Sequence, residues 1–261
     1  MRKVLVLLLS FITLSLSATI TVNSNQDNTD SDGSCTLREA ILTANGTNTD
    51  CGPGSSTNDT IVFASSLDGQ TITLNSSLPI DLSAGNLTID GSAVRITISG
   101  GGSVQVFTIS GSGTLTLKNL NLISGRTTGN GGVLSVSAGQ TVNIDSCFFG
   151  YSNATGNGGA IYNNGGTVNI VNSTFVGNSA SSGAALFNNA GTTRVSFSTF
   201  KDNTASSLTS GTLHHSAGTL IVRNSIIVSS GRGCAGTVSP SGVVYVVEGT
   251  SSCTASGFTA K

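Results

Sequence analysis

The chain has 261 residues, with 34 Gly, 3 Pro, no Trp and only 9% charged residues. Its 11 Lys+Arg and net charge of -1 give no basic surface of the kind that nucleic acid or an anionic membrane attracts. A hydrophobic content of 37% with so few charges also argues against a disordered chain. Ser, Thr, Asn and Gly mixed with β-branched residues favour an all-β exported protein.

The first 18 residues have the features of an export signal. Arg2 and Lys3 precede an apolar stretch from Val4 to Leu16, and small residues up to Ala18 suit cleavage. The stretch is shorter than the roughly 20 apolar residues of a spanning helix. We therefore predict a signal peptide at residues 1–18 and a mature domain at 19–261. We expect a secreted, cell-surface or outer-membrane-associated protein without a transmembrane segment once the signal is removed.

A short helix is predicted next, near the start of the mature chain. Thr36 and Glu39 have the spacing of a capping box, and the apolar residues that follow share one helical face. Cys35 and Cys51 flank this segment, and nearby cysteines pair readily in an oxidising compartment. We predict an N-terminal cap at residues 35–51, closed by a Cys35–Cys51 disulfide, that covers the exposed first strand of the domain.

From residue 86 onward the sequence repeats. Thr-Val-Asn-Ile at 141–144 returns at 167–170, and related segments start at residues 86, 114, 192 and 219, so copies follow every 25 to 28 residues. Apolar and polar residues alternate within each copy, and one copy alone cannot bury its apolar face. Stacked copies can bury it, which predicts a single-stranded parallel β-helix, a solenoid, with an all-β fold. A β-propeller is the alternative, but its blades are longer, at roughly 40 residues.

Several columns of residues follow from this register. Asn119, Asn172 and Asn224 fall where the strand must bend, and Asn tolerates the left-handed conformation of such a bend. Cys147 falls in an inward column, which predicts a free, buried thiol.

A second column contains aromatic rings. Tyr162, Phe187 and His214 each follow an inward apolar residue and are therefore expected to point outward on adjacent coils. Such a column can bind sugars or a protein partner, so these three are the candidate binding residues. Ordinary stacking between neighbouring coils is the alternative explanation.

The C-terminal end is predicted to be covered as well. Cys234 and Cys253 flank it, and an apolar strand runs between them at residues 243–247. We predict a C-terminal cap at residues 234–257 held by a Cys234–Cys253 disulfide.

Two groups of motifs resemble known bacterial families. The segment from Cys35 to Ile41 (Cys-Thr-Leu-Arg-Glu-Ala-Ile) resembles the N-terminal Cys-Ser-Leu-Arg-Glu-Ala motif of exported β-helix proteins. Residues 158–161 (Gly-Gly-Ala-Ile), with Phe-x-x-Asn at 175–178 and 200–203, are similar to the repeats of polymorphic outer membrane proteins. The resemblance implies a right-handed β-helix of the pectin lyase-like type at the cell surface, often an adhesin.

Catalytic groups are sparse in the repeats. The acidic residues from 86 onward are Asp90, Asp145, Asp202 and Glu248, which the sequence register assigns to different columns. Hydrolysis of acidic polysaccharides needs paired carboxylates, and lyase chemistry needs a placed base. Lys118, Arg194, Lys201 and Arg223 are also expected to be dispersed. We therefore predict no catalytic residue, no metal site and no cofactor.

The sequence thus favours a non-catalytic binding protein whose partners are glycans or surface proteins. A polysaccharide lyase or hydrolase of the pectin-lyase-like type is the alternative function. The oligomeric state is left open.

Overall fold

Parallel strand pairing dominates the computed structural model, which describes residues 17–55, 57–83, 85–236, 239–240 and 244–250. All ladders between its named strands are parallel. They form sheets of twelve, eight, four and two strands. The chain is a parallel β-solenoid, and the predicted all-β fold with one short helix is confirmed.

The twelve-stranded sheet, here called the main sheet, runs the length of the solenoid. Its strands are Ala18–Val22, Asn58–Phe63, Asn86–Asp90, Gly113–Lys118, Leu134–Ser137, Gln140–Asp145, Ile161–Val171, Leu186–Ser196, Leu213–His215, Thr219–Arg223, Cys234–Ala235 and Ser239–Pro240.

The other sheets form the remaining sides of the coils. The eight-stranded second sheet contains Thr71–Thr73, Ile96–Ser99, Leu120–Ile123, Phe148–Gly150, Thr174–Val176, Thr199–Lys201, Ser225–Arg232 and Val244–Thr250. The four-stranded third sheet contains Arg126–Thr127, Asn153–Ala154, Ser179–Ala180 and Thr204–Ala205. The last pair is Leu78–Asp81 with Phe107–Ser110.

The strands pair in the register that the repeat predicts. Thr141 lies opposite Thr167 and Val142 opposite Val168, so equivalent positions of successive copies are stacked. Alternate residues are buried: Gln140, Val142 and Ile144 are buried, and the residues between them are half-buried. The apolar half of each strand therefore forms one continuous core along the solenoid.

Aromatic rings stack inside the core beneath the second sheet. The centroids of Phe149 and Phe175 are 4.6 Å apart with an interplanar angle of 5°, and those of Phe175 and Phe200 are 4.8 Å apart at 12°. This separation matches the distance of about 4.8 Å between neighbouring strands. The coil repeat itself thus sets the stacking geometry.

The corner between the main and second sheets has left-handed backbone. Asn119, Asn172 and Asn224 have φ values of 51°, 51° and 44°, as the sequence predicts. Ser146 and Phe197 occupy the same corner with φ of 56° and 51°. Asn is the residue that tolerates this conformation best after Gly, and Phe is poorly suited to it.

The predicted N-terminal cap is present. Helix Leu37–Ala44 begins at a Thr36 N-cap, whose side chain accepts from the Glu39 amide while the Glu39 carboxylate accepts from the Thr36 amide. The Cys35–Cys51 disulfide is formed. The Arg38 guanidinium pairs with the buried Asp27 carboxylate at 2.8 Å, which ties the helix to the preceding loop. A single 3-10 turn, Ser65–Leu67, completes the helical structure of the described residues.

Parts of the predicted ends fall outside the described residues. Residues 1–16 of the predicted signal peptide and Cys253 of the C-terminal cap are among them, so both predictions stand as predictions. The backbone of Val244–Thr250 pairs with Ser225–Arg232 and adds the last strand of the second sheet. No helix in the described part of the chain is long and apolar enough to span a membrane.

Candidate functional site

The predicted aromatic column is assembled as expected from the register. Tyr162 lies opposite Phe187, and Phe187 opposite His214. The ring centroids of Tyr162 and Phe187 are 5.7 Å apart at 33°, and those of Phe187 and His214 are 4.5 Å apart at 11°. The three side chains therefore form one stack across three coils.

This column is less accessible than the sequence suggests. Phe187 is only 6% exposed, and Tyr162 and His214 are half-buried. The adjoining loop packs against the column, since a Cβ on Gly183 would lie 2.8 Å from the Phe187 Cβ. The contact area left for a ligand is confined to the edges of Tyr162 and His214, and stacking between coils accounts for most of the buried ring surface.

Burial also sets the ionisation of this column. Desolvation lowers the pKa of His214, and the neighbouring His215 lowers it further. Desolvation likewise raises the pKa of Tyr162. The Ser210 hydroxyl lies 2.8 Å from His214 Nδ1. A neutral imidazole hydrogen-bonded to a hydroxyl and stacked on a benzene ring is thus the form that the fold favours.

A buried amide network lies beside the aromatic column and was not foreseen from the sequence. Asn163 Nδ2 donates to Asn188 Oδ1 at 3.0 Å, and the Thr193 hydroxyl donates to the same oxygen at 2.6 Å. Asn188 Nδ2 in turn lies 3.2 Å from His215 Nδ1. Both Asn residues come two positions after an inward apolar residue, so the period of the strand places them inside. This network joins successive coils rather than facing a ligand.

The cysteines of the described residues do not form a reactive site. Cys147 is free and 3% exposed, which confirms the sequence prediction. Burial raises the pKa of its thiol to about 12, so the nucleophilic thiolate is scarce at neutral pH. Cys234 is buried, and its predicted partner Cys253 lies outside the described residues. The part of the chain that the structure describes contains no cluster of three or more His, Cys, Asp or Glu suited to hold a metal.

A groove of about 420 Å³ lies on the outer face of the main sheet. It crosses the strands Gly113–Lys118, Gln140–Asp145, Ile161–Val171, Leu186–Ser196 and Thr219–Arg223. The middle row of outward residues is Thr116, Asn143, Asn169, Arg194 and Ile221. The sequence repeat contains this row, but the sequence alone did not show that it lines a groove.

Charged side chains lie in the adjacent outward row. The expectation that the acidic residues occupy different columns is wrong, since Asp90 lies opposite Lys118 and Lys118 opposite Asp145. Asp90 and Asp145 are each the fifth residue of their copy, counted from residues 86 and 141, so the register of the repeat itself assigns them to one column. The expected dispersal of the cations is also wrong for three of the four, because Lys118, Arg194 and Arg223 line this groove, whereas Lys201 lies on the second sheet.

The two carboxylates of this row are engaged at the sheet corner. Asp90 Oδ1 accepts from the Ser92 amide at 2.8 Å and from the Ser92 hydroxyl. Asp145 Oδ1 accepts from the Ser146 hydroxyl at 2.9 Å and from Asn172 Nδ2 at 3.4 Å. These bonds stabilise the turn into the second sheet, so both carboxylates have a structural role there.

Comparisons with protein-family models, with curated proteins and with solved structures give no match for this chain. Its function is therefore inferred from the fold and the surface chemistry.

Proposed function

We propose that this chain is an exported, non-catalytic protein that binds glycans along the outer face of its main sheet, in the manner of an adhesin. The observation that carries the proposal is the groove of about 420 Å³ that crosses five strands of this sheet. A groove perpendicular to the strands meets a new set of side chains every 4.8 Å or so, which suits an extended polymer better than a compact molecule.

The groove has the hydrogen-bonding groups that sugars require. Asn169 Nδ2 donates to Asn143 Oδ1 at 2.9 Å, which fixes the orientation of both amides. Each amide offers donors and acceptors beyond this bond, and sugar hydroxyls can use both. Thr116 continues the same row on the preceding strand. The result is a ladder of neutral polar groups at the repeat of the coil.

The groove is also held rigidly. The residues between its outward positions, such as Val142 and Val168, are fully buried in the core. Each strand beneath the groove is hydrogen-bonded to its neighbours. A surface fixed in this way loses little conformational entropy on binding.

Export is supported by the sequence and by the disulfide. Structural disulfides persist in oxidising compartments, and Cys35–Cys51 closes the N-terminal cap. The signal peptide predicted from the sequence at residues 1–18 agrees with such a compartment. A protein outside the cytosol meets glycans of its own or neighbouring cells.

A glycan array tests the proposal, with the purified protein and the double variant Asn143→Val/Asn169→Val. Val suits an outward strand position, so the fold should persist. We expect the parent to bind a subset of glycans and the variant to bind them roughly tenfold more weakly, because it lacks about two hydrogen bonds. The matched control is Asn121→Val on the outer face of the second sheet, where Asn121 bonds Thr97.

Comparing the two variants shows whether the main sheet or the second sheet binds the glycan. Equal binding by the parent and the Asn143/Asn169 variant, or an equal loss in the Asn121 variant, would show that the main-sheet groove is not the binding surface. A parent that binds no glycan would contradict the proposal as a whole.

A polysaccharide hydrolase or lyase is the second candidate, and the shared row of Asp90, Lys118 and Asp145 favours it. The backbones of the two Asp residues are two strand steps apart, or about 10 Å, and glycosidase carboxylates lie roughly 5–9.5 Å apart. Their bonds to the corner argue against free catalytic groups. Release of reducing ends or of unsaturated products from pectin or alginate, abolished by Asp145→Asn, would establish this candidate in place of the first.

A further inference from the structure

Three cations on the outer face of the main sheet have no carboxylate partner among the described side chains. Lys118, Arg194 and Arg223 line the groove. The ion pairs of the described residues are formed by Arg38, Arg95 and Lys201. Arg194 and Arg223 are exposed, and Lys118 is half-buried.

The two arginines form a close pair. Arg194 lies opposite Ile221, two residues before Arg223 on the next strand. Residues two apart on a strand point to the same face, so both guanidinium groups leave the sheet on the groove side. Their backbones are about 8 Å apart from the strand spacing and the rise per residue. Like charges at this distance repel, and an anion between them removes the repulsion.

We propose that Arg194 and Arg223 form an anion site that makes the groove selective for acidic glycans, those carrying carboxylate or sulfate groups. The guanidinium group binds either anion in bidentate fashion. The proposal rests on glycan binding in this groove and adds the chemical class of the glycan. Lys118 lies in the same row as Arg223, four strand steps or about 19 Å away. It would contact a second acidic group of the same glycan.

The spacing of the charges favours a glycan over a densely charged polymer. The cations stand at the two ends of the groove, and Asn169 and Asn143 lie between them. Asp145 lies opposite Lys118 in the same groove and repels a polymer with a phosphate at every step. A sugar chain with separated acidic groups meets cations at the ends and amides in the middle.

Two pairs of matched polymers test this site. One is hyaluronan, which carries a carboxylate on every second sugar, with its methyl ester, and the other is keratan sulfate with its desulfated form. We expect the purified protein to bind a charged member and not its neutral counterpart, with affinity that falls as salt is raised. The preferred pair identifies carboxylate or sulfate as the recognised group.

The variant Arg194→Gln/Arg223→Gln should bind the charged polymer roughly 10- to 100-fold more weakly, since it loses charge-assisted hydrogen bonds. The control Arg126→Gln/Lys201→Gln removes the same charge from the second and third sheets and should bind like the parent. An equal loss of affinity in both variants would mean that net charge alone determines binding, and it would overturn the anion site.

The same experiments distinguish failure of the anion site from failure of glycan binding in the groove. Neutral and charged members bound equally, with the array still positive, would overturn the anion site and leave glycan binding in place. No binding to these polymers or to any arrayed glycan would overturn both.

Discussion

Phe197 occupies a corner position that its backbone makes unfavourable. Its φ of 51° lies in the left-handed region, and its side chain is 60% exposed, so core packing does not account for it. Equivalent corners carry Asn119, Asn172 and Asn224. A left-handed conformation costs an L-residue roughly 1–2 kcal/mol, less for Asn.

We predict that Phe197→Asn raises the free energy of unfolding by about 1 kcal/mol because it relieves this backbone strain. Urea denaturation of the parent and the variant measures the change. The matched variant Asn172→Phe places the same ring at a neighbouring corner and should lose a similar amount. A Phe197→Asn protein less stable than the parent would mean that the ring makes a stabilising contact.

His214 gives the molecule a dependence on pH. Burial lowers its pKa in the folded state, and the unfolded value is about 6.5. The unfolded chain therefore binds the proton more readily than the folded one. Stability is full above about pH 6.5 and decreases as the pH falls below it, until the folded pKa is reached.

The variant His214→Phe keeps a ring on Phe187 and removes this titration. We predict that the parent loses more stability than His214→Phe when thermal unfolding is compared at pH 7.5 and pH 5, while carboxylates affect both proteins alike. Parallel stability curves for the two proteins across this range would contradict the assignment.

At the scale of the element, the Phe-x-x-Asn segments combine a core ring with a corner bond. Phe175 stacks in the interior, and Asn178, three residues later, is fully buried at the turn into the third sheet. Asn178 Oδ1 accepts from the Ser152 amide at 3.0 Å, and its Nδ2 donates to the Phe149 carbonyl at 2.9 Å. The motif therefore satisfies backbone groups that the corner removes from strand pairing.

We predict that Asn178→Ala lowers the free energy of unfolding by roughly 2–4 kcal/mol, since buried backbone groups lose their partners. Asn189→Ala is the matched control, because Asn189 Nδ2 also donates to an Asn of a neighbouring coil, Asn164, but on the outside of the solenoid. It should change stability by no more than about 0.5 kcal/mol. Similar losses of stability in the two variants would show that the burial of Asn178 does not determine its contribution to the free energy of unfolding.

The elements that could be predicted from the sequence are those set by local periodicity. The alternation within each strand, the Asn corners and the Thr36/Glu39 cap each depend on residues close together in the chain. The sequence left the exposure of Phe187 open between ligand binding and stacking, and its ring lies between those of Tyr162 and His214, which leaves the residue 6% exposed. Its outward direction followed from the pattern, and its burial did not.

At the scale of the whole molecule, the groove depends on the register over five coils. Lys118 and Arg223 are 105 positions apart in the chain, from 118 to 223, yet belong to one outward row. Each is the fifth residue of its copy, counted from Thr114 and Thr219, so the strand register places both in one column although the copies differ in length. The sequence did not show that this column borders a groove, because that depends on how the side chains of five strands lie on the surface of the sheet.

The disulfides are predicted to fasten both ends of the solenoid. Non-reducing peptide mapping should recover Cys35–Cys51 and Cys234–Cys253 peptides, with Cys147 labelled by alkylating agents only after unfolding. Cys147 found in a bridge, or labelled in the folded protein, would contradict the buried position that the coil register gives it.

Binding on the outer face of the main sheet is the central claim, and a steric block tests it most directly. Asn169→Trp fills the middle of the groove, and Thr174→Trp places the same ring on the outer face of the second sheet. Calorimetric titration with the tightest glycan from the array is the measurement. We predict that Asn169→Trp binds at least roughly tenfold more weakly at unchanged stability, while Thr174→Trp binds like the parent. Undiminished binding by a folded Asn169→Trp protein would contradict the account.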